Sequence, residues 1–114
     1  MIKRSEATEQ EAVVEYCQLN RILIFAIPNG GSRNKLEAIN LKRQGVKAGV
    51  PDLFVPYARR GFYGLFIEMK YGRNKTTPEQ DEWLDALTRR GYLAKVCRGY
   101  AEAVELLKYY FEWG

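Results

Sequence analysis

The 114-residue chain contains no histidine. That absence removes Ser-His-Asp and Cys-His nucleophilic catalysis, together with every nuclease design that relies on a histidine general base. Hydrolytic chemistry has only carboxylates, lysine, tyrosine or a metal ion to draw on. Cysteine is nearly as scarce: Cys17 and Cys97 lie far apart within apolar patterns, with no Cys-x-x-Cys spacing. Two reduced, buried thiols are expected, rather than a disulfide or a structural zinc site. No apolar run approaches the length of a membrane span, and Met1-Ile2-Lys3-Arg4 leads into polar residues instead of a signal-peptide core. The expectation is an intracellular protein with no membrane attachment. Repeats, linkers and low-complexity tracts are also missing, so residues 1–114 read as one domain with one core.

A content of 46% hydrophobic and 28% charged residues is that of an ordinary soluble protein, so composition alone selects no special class. The placement of charge says more than the net value of +4. Residues 28–75 hold ten basic and three acidic groups, a local net of +7, which leaves the flanking segments at −3. A field of that sign suits a polyanionic partner.

Local patterns predict eight elements. Ser5 or Thr8 can cap a first helix, with Thr8-x-x-Glu11 resembling a capping box. Its apolar stripe is Val13, Val14 and Cys17, continued at i−4 steps from Val14 by Gln10 and Glu6. Arg21 to Ile27 reads as a buried strand, ended by the loop Pro28-Asn29-Gly30-Gly31. Ser32 is the expected cap of a second helix that runs to about Gln44 and stops at Gly45, with a thin apolar side of Leu36 and Ile39. Two strands follow, Asp52–Val55 and Leu65–Lys70, joined by a hairpin tip over residues 57–64. Thr77-Pro78-Glu79-Gln80 starts a third helix with an N-cap threonine, proline at the first position and glutamine at the capping-box position. Trp83, Leu84 and Leu87 are its core-facing set. A strand over Tyr92–Cys97 and a last helix after Gly99, with Ala103, Val104, Leu107, Tyr110 and Phe111 at helical spacing, complete the chain. The fold class is α/β, a mixed central β-sheet flanked by helices in the order α-β-α-β-β-α-β-α.

The chemistry concentrates at Pro51-Asp52 and Glu68-Met69-Lys70. Side chains alternate along a strand, so Glu68 and Lys70 share one face while Ile67 and Met69 take the other. A carboxylate and an ammonium at the end of an apolar strand are costly to bury without partners or a task. If the two strands pair, Asp52 joins them, giving two carboxylates for a hard divalent cation with a lysine alongside. Those groups suffice for metal-assisted phosphodiester hydrolysis. The simpler alternative is a turn at Pro-Asp and a solvated edge-strand ion pair at Glu-x-Lys.

The ordered series Asn29-Gly30-Gly31, Lys42-Arg43-x-Gly45-Val46, Gly49-Val50-Pro51-Asp52-Leu53, Ile67-Glu68-Met69-Lys70, Glu79-Gln80 and Gly91-Tyr92 resembles the VRR-NUC family of the PD-(D/E)xK nuclease superfamily. The resemblance runs from about Glu6 to the last helix. It implies a restriction-endonuclease-like core, dependence on Mg²⁺ or Mn²⁺, and cleavage of DNA phosphodiesters. By this resemblance Asp52 and Glu68 are metal-binding carboxylates, the Met69 carbonyl is a further ligand candidate, and Lys70 orients or deprotonates the attacking water and stabilises phosphate charge.

Related nucleases also bring a first-helix carboxylate near the metal. Glu6 is the choice here, with Gln10 supporting the site and Glu11 capping the helix. Gln80 has two readings, a cap residue or a group facing the site. Phosphate contacts are expected from Lys35, Lys42, Arg43, Lys47, Arg73 and Lys75, with Arg59 and Arg60 in the wider pool. Nothing resembles a base-reading helix, so recognition by DNA shape is expected. Small stand-alone members of the family resemble resolvases, which implies a homodimer acting on branched DNA such as a four-way junction. Tyr109, Tyr110 and Trp113 are interface candidates. The alternatives are a flap, nick or single-strand nuclease within a larger complex, and a catalytically idle DNA-binding module.

Overall fold

The structure is a computed structural model and describes residues 3–28 and 34–112. Its elements are α1 (Glu6–Leu19), β1 (Phe25–Ala26), α2 (Lys35–Arg43), β2 (Leu53–Val55), β3 (Leu65–Lys70), α3 (Pro78–Arg89), β4 (Leu93–Arg98) and α4 (Tyr100–Phe111). The strands form one mixed sheet in the order β1-β2-β3-β4. The first three run antiparallel, and β4 returns parallel to β3 after the α3 crossover. The predicted α/β class and element order are those observed.

Register decides what each face carries. Leu53 pairs with Ile67, and Val55 with Leu65, so these residues share a face with Met69. α1 and α4 cover that face with Val13, Cys17, Ala103, Leu107 and Tyr110, all buried in one core. The opposite face carries Phe54, Phe66, Glu68 and Lys70. Phe54 and Phe66 lie 4.4 Å apart between ring centroids, and Tyr92 closes on Phe66 at 5.3 Å. Both cysteines are free and buried, as expected, and burial pushes the thiols up to about 11 for Cys17 and about 12 for Cys97. No helix among the described residues is long and apolar enough to cross a membrane.

Several expectations change. α1 is capped by Ser5, not Thr8: the Ser5 hydroxyl accepts the Thr8 N–H at 3.2 Å and the Thr8 hydroxyl accepts the Ser5 N–H at 2.8 Å. Thr8 therefore occupies the third helical position, and Glu11, exposed on the next turn, takes no part in the cap. The run from Arg21 to Ile27 forms only a two-residue strand with both residues exposed. Arg21 sits at φ 56, and the Leu23 N–H is taken by the Tyr57 hydroxyl at 2.8 Å, so the ladder does not extend toward the N-terminus. As an edge strand, β1 is also paired on one side only.

Helix α2 begins later than Ser32, with Asn34 as its cap, and has no buried residue; Leu36 is 66% exposed. Ser32 and the Asn29-Gly30-Gly31 loop lie outside the described residues. Trp83, Leu84 and Leu87 are half-buried and stay out of the main core. Among the expected interface aromatics, Tyr110 is fully buried and donates its hydroxyl to the Tyr57 carbonyl, while Tyr109 is half-exposed. Trp113 lies outside the described residues.

One glycine sets how closely the strand entering the site approaches α3. Gly49 has φ +91, and a Cβ there would lie 2.7 Å from the carbonyl carbon of Glu79. Both the left-handed backbone and the contact with rigid main chain penalise any side chain. Gly49→Ala should lower unfolding free energy by about 2 kcal/mol or more, read from the urea midpoint. An unchanged midpoint would mean the segment has room to move away.

Candidate active site

Asp52 lies one residue before β2, at the point where Pro51 delivers the chain to the sheet. Its Oδ2 accepts the Met69 N–H at 2.8 Å, which pins the carboxylate to the end of the neighbouring strand. The β3 alternation then puts Glu68 and Lys70 on one side of that strand. Both are buried, at 1% and 7% exposure, which excludes a solvated edge-strand ion pair. Lys70 Nζ stands 3.9 Å from Glu68 Oε2. The N-terminal turn of α1 brings in Glu6, and one carboxylate oxygen from each of Glu6, Asp52 and Glu68 lies within 4.8 Å of the other two. Gln80 takes both of its expected positions: Oε1 accepts the Thr77 N–H at 2.9 Å as a cap, and Nε2 donates to Glu68 Oε2 at 3.3 Å.

Glu68 is electrostatically overloaded. Burial raises its carboxyl to about 8, with the Asp52 charge, a hydrogen bond to Asp52 and the Glu6 charge adding to the rise, and Lys70 opposing it. Its Oε1 is buried with no hydrogen-bond partner when the group is ionised; a proton on the carboxyl can be shared with Asp52. An orphaned buried carboxylate oxygen amid two further carboxylates is an expensive arrangement for a folded chain. A hard divalent cation takes oxygen donors of this kind, and its charge would relieve the crowding that raises Glu68. The donor set fits Mg²⁺ or Mn²⁺ and contains no soft or imidazole ligand for zinc.

The remaining expected residues are more dispersed. Gln10 borders a surface groove with Ala7, Glu11 and Val14, and among the described residues no hydrogen bond joins it to the carboxylates. Lys35, Lys42, Arg43, Lys47, Arg73 and Lys75 are all exposed. Arg60 donates to the Tyr109 carbonyl at 2.6 Å and stacks 4.0 Å over that ring, and Arg59 lies 5.1 Å over Phe111. Both hairpin arginines therefore engage α4.

Three residues near the site were not singled out from sequence. Glu9 is buried and paired with Arg4. Arg98, beside Lys70 in the β3–β4 register, donates to the Gly72 carbonyl at 3.2 Å and the Asn74 carbonyl at 2.6 Å, which shapes the basic loop. Glu9 did carry a signal, since it continues the Val13–Cys17 stripe by one i−4 step. A polar residue on a buried stripe needs a partner.

Comparison with known proteins places this geometry. The VRR-NUC domain profile matches residues 4–101. A solved structure described as a VRR_NUC domain protein superposes with a TM-score of 0.84 at 31% identity, covering 100% of this chain and 93% of its own. Another, described as a VRR_NUC domain, shares the fold at TM-score 0.65 and 20% identity, covering 93% of this chain and 97% of its own. No curated protein matches significantly in sequence. The profile spans most of the chain, including all three clustered carboxylates and Lys70, and on that ground the chain belongs to the VRR-NUC domain family of nucleases.

Proposed function

We propose that the protein is a divalent-metal-dependent endodeoxyribonuclease acting on branched DNA, with a four-way junction as the preferred substrate and a homodimer as the working form. The observation that carries the reading is the convergence of Glu6, Asp52 and Glu68, each with an oxygen within 4.8 Å of the others, next to a buried lysine. Asp52 and Glu68 would hold Mg²⁺ or Mn²⁺, with Glu6 as a third donor and the Met69 carbonyl as a further candidate. When bound, the metal supplies Lewis-acid stabilisation of phosphate charge and favours the ionised form of water.

The chain's own groups do the rest. Lys70, fixed beside Glu68, orients the attacking water and offsets charge growing on the phosphate oxygens. Water adds to phosphorus and gives up a proton to solvent, a P–O ester bond breaks, and the leaving sugar oxygen takes up a proton from solvent. Gln80 holds Glu68 Oε2 and so limits its rotation. Exposed Lys35, Lys42, Arg43, Lys47, Arg73 and Lys75 serve as contacts to the phosphate backbone, a mode that reads shape rather than sequence. Coordinated cuts on two strands need two sites, and one domain of this size supplies one. Leu23, Phe25, Leu36 and Ile39 leave apolar surface outside the core for a self-complementary contact.

The test is cleavage of labelled junction, flap, nicked, duplex and single-stranded DNA with Mg²⁺ or Mn²⁺, alongside sedimentation at assay concentration. Paired nicks in a junction by a dimer are expected. A monomer that cuts flaps fastest would replace the junction reading with a flap nuclease of a larger assembly. Binding without cleavage in either metal would leave an idle DNA-binding module.

A further inference from the structure

Glu9 is a charged residue at 7% exposure, one turn after Glu6 on α1, and the chemistry above gives it no task. Its Oε1 accepts the Tyr100 N–H at 3.1 Å and the Arg4 Nη2 at 2.8 Å. The Tyr100 N–H opens α4, whose N-cap Gly99 has no side chain to offer it. Gly99 in turn donates its own N–H to the Lys70 carbonyl at 3.0 Å. Arg4 completes the group by lying 5.6 Å over the ring of Tyr71, the residue after Lys70. Gly99 is matched to this arrangement: at φ +91 it favours glycine, and an added Cβ would sit 3.0 Å from Glu9 Oε1.

Capping α4 is the plain explanation of Glu9, but a serine or aspartate at position 99 would cap the helix locally. Supplying the acceptor from a residue 91 positions away instead fastens the first turn of α1 to the end of β3. Arg4 keeps the acceptor charged, since the guanidinium beside it holds Glu9 below the usual carboxylate range. Glu6 rides on that fastened turn.

We infer that Glu9 is a positioning residue, which through its bonds to Tyr100 and Arg4 holds Glu6 at the Asp52–Glu68 pair. This rests on the reading of those three carboxylates as the metal site. It assigns the lateral placement of the third donor to a latch between α1 and the start of α4.

Mn²⁺ affinity measured by titration calorimetry on the purified full chain tests it, with thermal unfolding as the fold control. Glu9→Ala should weaken Mn²⁺ binding about tenfold, the scale of losing a group that orients a ligand. Glu9→Gln keeps an acceptor for the Tyr100 N–H and should recover most of that loss. Arg4→Ala, a change at an exposed side chain, should act in the same direction more weakly. In a Glu6→Gln background, Glu9→Ala should cost less than about twofold, because coupled residues are not additive.

Lower thermal stability with unchanged Mn²⁺ affinity would reduce Glu9 to a helix cap. Equal losses with and without Glu6 would show that it does not act through that carboxylate. A silent Glu6→Gln beside a defective Asp52→Asn would overturn the latch and leave the metal site standing. Normal Mn²⁺ binding by Asp52→Asn would remove the metal site, and the latch with it.

Discussion

Asp52→Asn should reduce metal-dependent DNA cleavage by more than about a hundredfold while leaving the fold intact, because even outer partners of metal ligands cost about 10–100-fold. The asparagine carbonyl can still accept the Met69 N–H that Asp52 Oδ2 accepts at 2.8 Å, so β2 and β3 keep their connection. What goes is the charge, and an amide is a poor substitute for a carboxylate on a hard cation. Lys70→Ala should produce a loss of similar size by a different route. In the proposed mechanism it removes the group that positions water and offsets phosphate charge, without removing a ligand. Single-turnover cleavage across a Mn²⁺ titration separates the two: added metal should partly rescue Asp52→Asn and should not rescue Lys70→Ala. Near-normal cleavage by either variant would take that residue out of the active site, and rescue of Lys70→Ala by metal would reassign the lysine to metal binding.

Much of the scaffold beneath these residues was legible because its determinants are local. The Thr77-Pro78-x-Gln80 start of α3, the period-two alternation of β3 and the glycine stop after α2 each act over a few residues, and all occur where expected. Burial is a tertiary outcome and was less legible. Arg21 to Ile27 is apolar enough for a central strand, yet it meets the sheet edge with one neighbour. The Tyr57 hydroxyl, 34 positions away, takes the Leu23 N–H. Helix α2 has only the thin apolar side of Leu36 and Ile39, and none of its residues is buried.

The site divides in the same way. That Glu68 and Lys70 share a side follows from strand geometry alone. That Glu9 is buried was signalled by its place on the Val13–Cys17 stripe, but the partner that permits it is an amide of α4 that no local pattern connects to it. Gln80 could serve as cap, site neighbour or both, and only three-dimensional placement reveals that its two polar atoms do both.

Glu68→Gln should abolish cleavage and yet make the metal-free protein more stable at alkaline pH. Burial and the Asp52 charge raise the Glu68 carboxyl in the folded state to about 8, whereas the unfolded chain holds it near its ordinary value of 4.5. Between those values the folded protein keeps a proton that the unfolded chain has released. Stability contributed by this group is therefore full below the lower value, falls as pH rises, and is gone above the upper one. The slope approaches about 1.4 kcal/mol per pH unit.

Glutamine cannot ionise, so the variant should lack that slope. At pH 4 the two proteins should unfold at nearly the same temperature, because Glu68 is then protonated in the folded and the unfolded wild type alike. At pH 9 the variant should be the more stable by several kcal/mol, roughly 5 for the whole interval between the two values, a shift of more than about ten degrees in a domain of this size. Mg²⁺ should stabilise the wild type at pH 9 and do little for the variant, since ligand binding to the folded state alone adds stability. Unfolding temperatures for both proteins across pH 4 to 9, with EDTA and with Mg²⁺, check each step. Parallel pH curves would mean that Glu68 does not titrate in this range. A variant destabilised at every pH would mean that the Glu68–Lys70 ion pair outweighs the crowding of the three carboxylates.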